Sequence, residues 1–269
     1  RRRTPRRRLA DTMTAMLAMP DVTALPGPTG LVVEALVRDV PSPRGLVVFL
    51  PGALSPKRED RSMPVFHRWS WAEDLPDFAV LTIADPALRQ DAELDGAWFI
   101  HPEVDVVREI AAVVLEHARE RGLGPDKILF YGSSLGGFGA LAAAAAARAR
   151  AVAEVPQIDF RGWLPGAVRA VEKRILGMTV TEYRRHHPER VDVWSRFLFE
   201  RYVPPFTMIS NEADRCFPQQ LKLISTIRSS TLYRAENADL LVTARTHEHQ
   251  TLQRAVALRA IRAALPTEG

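Results

Sequence analysis

The sequence contains a single cysteine, Cys216, among 269 residues. One cysteine excludes an intramolecular disulfide and a cysteine-rich zinc site, and it is compatible with a reducing compartment. No run of about 18 uninterrupted apolar residues occurs, so the sequence predicts no membrane-spanning helix. The moderately apolar stretch Leu9–Met19 lacks the apolar block of a secretory signal. We therefore expect a cytoplasmic protein, although a processed chain would have the same features.

The sequence also lacks the glycine-rich patterns of nucleotide-binding proteins. Neither Gly-x-Gly-x-x-Gly nor the P-loop pattern occurs, so the sequence argues against dinucleotide or nucleoside-triphosphate chemistry. We therefore expect no cofactor.

Positive charge is concentrated at the N-terminus. The net charge is +4, but the first eight residues, RRRTPRRR, include six arginines, so the rest of the chain is close to neutral. Such a segment either contacts nucleic acid or another anionic surface, or is a solvated end. The remaining sequence shows no basic face interleaved with aromatic residues, so we expect no nucleic-acid partner. We divide the chain into a basic N-terminal extension, residues 1–20, and one domain, residues 21–269.

Apolar runs alternate with helical patterns along the domain. This alternation predicts an α/β fold with a mostly parallel sheet flanked by helices. The predicted strands are Leu31–Val37, Gly45–Leu50, Phe78–Ile83, Lys127–Tyr131, Ala151–Pro156, Pro205–Ser210 and Leu240–Thr243, and the predicted helices are Val104–Arg121, Gly137–Arg150 and Leu252–Leu265.

The segment ILFYGSSLGGFGAL, residues 128–141, contains the pattern G-x-S-x-G between an apolar strand and a helix rich in small residues. In this context the pattern predicts that Ser134 is a nucleophile in a tight, strained turn, which the small residues Gly132 and Gly136 make possible. The following helix would direct its N-terminal amides toward a developing oxyanion. A purely structural turn is the alternative. Ser133 lacks symmetric glycine neighbours and is interpreted as a polar residue of the turn.

This segment resembles the nucleophile elbow of the α/β-hydrolase superfamily, and the resemblance extends roughly from Leu31 to Leu265. It implies the α/β-hydrolase fold and a Ser-His-acid triad, with the oxyanion loop, nucleophile, acid and histidine in that order along the chain. The sequence supplies candidates in this order.

The resemblance also implies a role for residues 159–204, which contain helical, amphipathic patterns with no strand between them. An insertion at this position of the fold would be a helical cap above the active site, with Trp163 and Trp194 as the large side chains that contact substrate. The alternative is a peripheral pair of helices that packs on the sheet and contacts no substrate.

The oxyanion loop is expected after the second predicted strand, where Leu50-Pro51-Gly52-Ala53 stands. Many members of the superfamily carry His-Gly there, so Pro51 is a departure. Because the donor is a backbone N–H, the departure need not affect the chemistry. By position, Ala53 and Leu135 would supply the two amides of the oxyanion hole. A plain Pro-Gly turn is the alternative.

The acid is expected after the strand PFTMIS. There the sequence NEADRCFP resembles the superfamily's D-x-x-x-P loop and places Asp214 in the acid position. Glu212 is a competitor two residues earlier. Cys216 has no histidine near it in sequence, and we interpret it as a packed apolar residue.

The base is expected between the last strand and the last helix, where His247 and His249 stand. We prefer His247, which fits the loop position of the superfamily's base slightly better, and retain His249 as the alternative. A His-x-His pair is also able to bind a metal ion, but no other motif of metal-ligand spacing supports a metal site.

Together the resemblance implies a serine hydrolase, most simply a carboxylic-ester hydrolase that forms an acyl-enzyme on Ser134. The expected substrate is a small ester or an acylated glycan, since FYGSSLGGFGAL is also similar to esterase-like proteins associated with bacterial surface glycans. Acyl transfer to an alcohol would use the same residues. Other chemistry on this fold, such as C–C bond hydrolysis or a lyase reaction, and a non-catalytic binding or scaffold protein are the remaining alternatives.

Overall fold

The computed structural model describes residues 20–265, apart from residues 56, 58, 59, 61, 233–237 and 245–247. The basic segment 1–19 and the predicted base His247 lie outside the described residues. None of the helices in the described part of the chain has both the length and the apolar character that crossing a membrane requires.

A single sheet forms the centre of the domain. Its strands, within the described residues, are β1 (Val22–Pro26), β2 (Val32–Arg38), β3 (Leu46–Phe49), β4 (Ala79–Ile83), β5 (Ile128–Ser133), β6 (Arg150–Glu154), β7 (Phe206–Asn211) and β8 (Ala238–Thr243). They lie in the order β1-β2-β4-β3-β5-β6-β7-β8. β2 is antiparallel to β1 and to β4, and all other neighbours are parallel.

The fold class predicted from the sequence is confirmed. Each of the seven predicted strands is present, and none of their bounds is shifted by more than two residues. Strand β1 was not predicted, because VTALP is largely exposed at the sheet edge and has no buried apolar run to mark it.

Helices cover both faces of the sheet. They are α1 (Val106–Arg119), α2 (Leu135–Ala147), α3 (Pro165–Val171), α4 (Val180–His186), α5 (Val193–Glu200), α6 (Phe217–Arg228) and α7 (Arg254–Ala264). The two faces follow from strand alternation: Phe130 of β5 belongs to the apolar cluster that contains α1 and α2, and Tyr131 to the cluster that contains α7.

Helix α2 is the central helix of the first face. Its residues are small or apolar and all are buried except Ala146. It packs against β5, β6, α1 and α5. These packing contacts fix the N-terminal end of α2, which Ser134 immediately precedes.

The insertion, residues 159–204, forms α3, α4 and α5 beside the first face. Val193 and Phe197 of α5 are fully buried in the same apolar cluster as α2. The fully buried guanidinium of Arg196 donates two hydrogen bonds of 2.8 Å to Asp105, which caps the N-terminus of α1. These contacts attach the insertion to the helical layer that covers the sheet.

Candidate active site

Ser134 lies in the turn between β5 and α2. Its backbone has φ 56° and ψ −119°, a conformation that non-glycine residues rarely adopt and that persists only where the surroundings enforce it. The Ser134 N–H donates to the carbonyl of Glu154 at 2.9 Å, and the Ser134 carbonyl accepts from the N–H groups of Gly137 and Gln157 at 3.0 and 3.2 Å. These bonds hold the turn at the carboxyl end of the parallel strands.

Two glycines make this turn possible. A Cβ added at Gly132 would overlap the carbonyl oxygen of Gly136, and a Cβ added at Gly136 would lie 2.7 Å from the carbonyl oxygen of Pro51. The strand end, the turn and the loop after β3 therefore pack too closely for a side chain at either position. The G-x-S-x-G pattern thus forms the tight turn that its sequence predicts.

Side chains from two further loops reach Ser134. Nε2 of His249 lies 2.6 Å from Oγ of Ser134, and Nδ1 of His249 lies 2.7 Å from Oδ2 of Asp214. Asp214 follows β7, and His249 follows β8. A neutral imidazole donates from one ring nitrogen and accepts at the other. With Nδ1–H donating to Asp214, Nε2 of His249 is free to accept the proton of Ser134.

The structure distinguishes between the two candidate acids, Asp214 and Glu212, and between the two neighbouring serines. Glu212 is exposed, whereas the carboxylate of Asp214 is fully buried and contacts His249. Oγ of Ser133 accepts a hydrogen bond of 2.6 Å from the guanidinium of Arg68. Of the predicted residues, the structure therefore brings Ser134 and Asp214 together.

Within the described residues, the histidine beside Ser134 is His249, the alternative named from the sequence. The preferred candidate, His247, lies outside the described residues and stays a prediction. His249 uses both ring nitrogens within the Ser-His-Asp group. In the described part of the chain no three His, Cys, Asp or Glu side chains come together as metal ligands.

Cys216 lies in the same loop as Asp214, between β7 and α6. Its backbone N–H donates to Oδ1 of Asp214 at 2.7 Å. Burial, and then the neighbouring carboxylate of Asp214, raise the pKa of the Cys216 thiol to about 12. The thiol is thus protonated at neutral pH, as expected for a packed residue.

The two predicted oxyanion amides stand in the loop after β3 and at the start of α2. Ala53 is exposed and Leu135 is buried, and neither N–H has a hydrogen-bond acceptor among the described residues. The N–H of Gly52, in contrast, donates to Nδ1 of His67 at 3.1 Å. Burial, and then the charge of Arg68, lower the pKa of His67 to about 4, so its ring is neutral at neutral pH and accepts this bond.

Comparison with known proteins supports the fold on structural similarity alone. No protein-family model and no curated protein sequence matches the chain. A solved structure of the glycosylation-associated Gap123 complex of Streptococcus agalactiae matches 88% of the chain at 15% identity, with a TM-score of 0.63. The capsule O-acetyltransferase of Neisseria meningitidis serogroup A matches 87% of it at 13% identity, with a TM-score of 0.60. The acetyl xylan esterase of Paenibacillus sp. R4 matches 91% at 17% identity, with a TM-score of 0.57.

The chain has the α/β-hydrolase fold. It covers 93% of the capsule O-acetyltransferase and 83% of the acetyl xylan esterase, but only 44% of the Streptococcus protein. Similarity at such low identity establishes the α/β-hydrolase fold and leaves the chemistry to the residues of the site.

Gln157 is a further residue beside Ser134, and the sequence did not predict it. It follows β6 and is buried, and its Nε2 donates to Oγ of Ser134 at 3.0 Å. Its Oε1 accepts a hydrogen bond from the indole N–H of Trp98. A polar residue just after a parallel strand was the available signal, because ligands of α/β sheets bind at the carboxyl ends of strands.

A buried polar cluster lies beneath the Ser134 turn. The Tyr131 hydroxyl donates to Oε2 of Glu154 at 2.7 Å, and Oε1 of Glu154 accepts from the backbone N–H of Leu252. Burial, and then the carboxylate of Glu154, raise the pKa of Tyr131. Because Leu252 follows His249 by three residues, this cluster ties the histidine loop to β5 and β6.

The structure places the two predicted substrate-binding tryptophans differently. The ring of Trp163 lies against that of His249, with 5.0 Å between the ring centroids. Trp194 instead lines a cavity of about 470 Å³ between the insertion and α6, together with Arg184 and Lys222, and this cavity does not include Ser134 or His249.

Proposed function

We propose that this chain is a serine hydrolase that cleaves carboxylic esters. The observation that carries the proposal is the continuous hydrogen-bonded series from Asp214 through His249 to Ser134, with distances of 2.7 and 2.6 Å. The nucleophile stands in a strained turn at the N-terminus of a helix, and the base and its orienting acid lie within hydrogen-bond reach.

In the proposed reaction, Oγ of Ser134 attacks the ester carbonyl carbon while its proton passes to Nε2 of His249. Asp214 holds the imidazole in the required tautomer and stabilises the imidazolium that forms. The backbone N–H groups of Ala53 and Leu135 donate to the oxyanion. When the tetrahedral intermediate collapses, the leaving alcohol takes the proton from His249 and the acyl group remains on Ser134.

Deacylation uses the same groups. A water molecule loses a proton to Nε2 of His249 and attacks the acyl carbon, and the proton then returns to Oγ of Ser134 as the carboxylic acid leaves. Each proton transfer in the cycle uses His249, and the second proton of water leaves with the carboxylic acid. No further protein group is needed to balance the reaction.

An acylated glycan, or a small ester of the same acyl group, is the substrate class that we propose. The indole of Trp163 beside His249 offers a flat apolar surface on which a sugar ring or an apolar acyl group can stack. Two proteins of similar fold and length are named as a capsule O-acetyltransferase and an acetyl xylan esterase, which supports an acyl group carried on a saccharide.

Acyl transfer is the second candidate function. It replaces water by an alcohol in the deacylation step and needs no change in Ser134, His249 or Asp214. The match to the capsule O-acetyltransferase, which covers 93% of that protein, favours keeping this candidate.

Labelling with a fluorophosphonate, located by mass spectrometry, tests the proposal. We expect stoichiometric modification of Ser134 and no modification of the Ser134→Ala variant, with Ser133→Ala as the matched control that retains labelling. Unlabelled protein, or equal labelling of Ser134→Ala, would contradict a serine hydrolase and favour a non-catalytic binding protein. Turnover of p-nitrophenyl acetate with and without a saccharide acceptor then separates hydrolysis from acyl transfer.

A further inference from the structure

The side-chain amide of Gln157 has only one orientation that its neighbours permit. The indole N–H of Trp98 is a donor with no acceptor capacity, so the Gln157 atom that faces it is the carbonyl oxygen Oε1. This leaves Nε2 facing Oγ of Ser134 at 3.0 Å. Gln157 and Trp98 are 1% and 3% exposed, so water does not compete for either bond.

Trp98 is itself held in place by a strained segment. Trp98 and Phe99 have φ values of 54° and 56°. The N–H of Phe99 donates to Oδ2 of the buried Asp85 at 3.0 Å, and the Trp98 ring packs on Phe160 with 4.7 Å between centroids. A Cβ added at Gly139 of α2 would overlap the Phe99 ring. Two adjacent residues with strained backbones are thus held by contacts with Asp85, Phe160 and α2. Strain that is maintained in this way indicates a functional constraint on this segment.

The Gln157 amide determines the direction of the Ser134 hydroxyl proton. A serine hydroxyl has one proton and two acceptor lone pairs. Since Nε2 of Gln157 donates to Oγ, one lone pair is occupied and the proton is directed to the acceptor on the other side, Nε2 of His249, at 2.6 Å.

We infer that Gln157 is a positioning residue for Ser134, and that Trp98 fixes the Gln157 amide in the orientation that donates to Oγ. This inference rests on the proposed function. As the proton moves to His249, Oγ gains negative charge and the bond from Gln157 becomes charge-assisted, so it strengthens in the transition state. Its contribution belongs to kcat and to the rate of attack rather than to substrate binding.

The first test compares fluorophosphonate inactivation and ester turnover of the unaltered protein with those of Gln157→Leu. We expect the inactivation rate constant and kcat to fall by about tenfold while KM stays unchanged, which is the size of effect that loss of one hydrogen bond produces. Trp98→Phe keeps the ring but removes the indole donor, and it should give a smaller loss of the same kind.

A second variant provides a readout that a structural role would not change. In Gln157→Glu an ionised carboxylate has no proton to donate and competes with His249 for the proton of Ser134. When protonated, the carboxyl regains a donor. We therefore expect the loss relative to the unaltered protein to be larger at pH 8 than at pH 5.5.

Gln220→Leu is the matched control. Gln220 is a fully buried glutamine whose Nε2 donates to the carbonyl of Pro156 at 2.8 Å, and it is not one of the residues that hydrogen-bond to Oγ of Ser134. We expect its substitution to lower thermal stability and to leave the inactivation rate unchanged.

Equal rates for Gln157→Leu and the unaltered protein, or equal losses for Gln157→Leu and Gln220→Leu, would overturn the inference while Ser134 labelling upholds the proposed function. Absence of labelling in the unaltered protein would overturn both. If Gln157→Leu fails to fold, Trp98→Phe and Gln157→Glu decide by the same measurements.

Discussion

Asp214 and His249 are joined by a hydrogen bond of 2.7 Å between Oδ2 and Nδ1, although they stand in loops that follow different strands. The second carboxylate oxygen of Asp214 is occupied by the backbone N–H of Cys216 at 2.7 Å. Both oxygens therefore face N–H donors. An asparagine in place of Asp214 has one oxygen and one NH2 group. In either orientation its NH2 group would face one of these two N–H donors, so one of the two hydrogen bonds would be lost.

Asp214→Asn should consequently place the His249 imidazole in the wrong tautomer. We expect kcat to fall on the order of 10⁴-fold with little change in KM, as for loss of the orienting acid in a serine protease triad. Ester turnover under saturating substrate measures the effect. Glu212→Gln, which alters an exposed neighbour, is the control, and a larger loss in that variant would show that the acid is Glu212.

The two histidines should differ sharply when each is replaced by alanine. His249→Ala removes the ring that contacts both Ser134 and Asp214, so turnover should fall by several orders of magnitude. His247→Ala should cause a mild loss. The opposite ranking would identify His247 as the base, and equal losses that added zinc restores would favour a metal site.

The glycine in the first turn of α2, Gly136, should not tolerate a methyl group. In Gly136→Ala the new Cβ would lie 2.7 Å from the carbonyl oxygen of Pro51, and only a backbone shift relieves that contact. We expect a loss of about 1–3 kcal/mol in the free energy of unfolding and slower fluorophosphonate labelling.

Gly166→Ala is the matched control for this substitution. Gly166 lies in α3, and among the described residues no atom beyond its chain neighbours and its own helix backbone lies within 4 Å of an added Cβ. We expect unchanged or slightly higher stability, because alanine is the better helix former. Equal stability of the two variants in urea denaturation would contradict the close packing of the turn.

The parts of the site that the sequence predicts are those with local signals. Ser134 is marked by its flanking glycines, and Asp214 by its loop after an apolar strand. The choice between His247 and His249 depends on how the loop after β8 folds back to Ser134, and no local pattern specifies this. Gln157 and His67 act through hydrogen bonds to residues 23 and 15 positions away, so their roles become visible only in the folded chain.

The same limit applies to the fold. The sequence predicts the buried parallel strands from their apolar runs, but it does not predict α6. One of the three buried positions of α6 is the polar residue Gln220, so only Leu223 and Ile227 form its buried apolar stripe. The insertion is helical as predicted, whereas its packing on α2 depends on tertiary contacts such as the burial of Phe197.

The two tryptophans of the insertion should have separable effects on specificity. Trp163 lies against His249, so Trp163→Ala should change the ranking of ester substrates by acyl chain length or leaving group. Trp194→Ala, which alters a separate cavity, is the paired variant and should leave the ranking unchanged. The readout is kcat/KM across an ester panel. An unchanged ranking in Trp163→Ala, accompanied by lower thermal stability, would show that the insertion is a peripheral helical layer and not a cap.

His67 should make the stability of the protein depend on pH. Its pKa is about 4 in the folded chain and 6.5 as the ordinary value, so between these pH values the unfolded chain binds the additional proton. The contribution of His67 to the free energy of unfolding is therefore fully present above pH 6.5, and it is lost as the pH decreases toward 4. The main physical cause is that burial removes the protonated ring from water, and the second is the charge of Arg68 beside it. A protonated ring also cannot accept the Gly52 N–H.

His67→Asn tests this dependence, because the asparagine oxygen can accept the Gly52 N–H but does not titrate. Between pH 7 and pH 5 we expect the free energy of unfolding of the unaltered protein to fall by roughly 1–2 kcal/mol more than that of the variant. Burial also lowers the pKa values of His101, His117 and His187, but these residues are present in both proteins and cancel in the comparison. Urea denaturation of both proteins at the two pH values measures the difference. Parallel pH dependence would mean that folding does not lower the pKa of His67, which would contradict a buried ring that accepts the Gly52 N–H only in its neutral form.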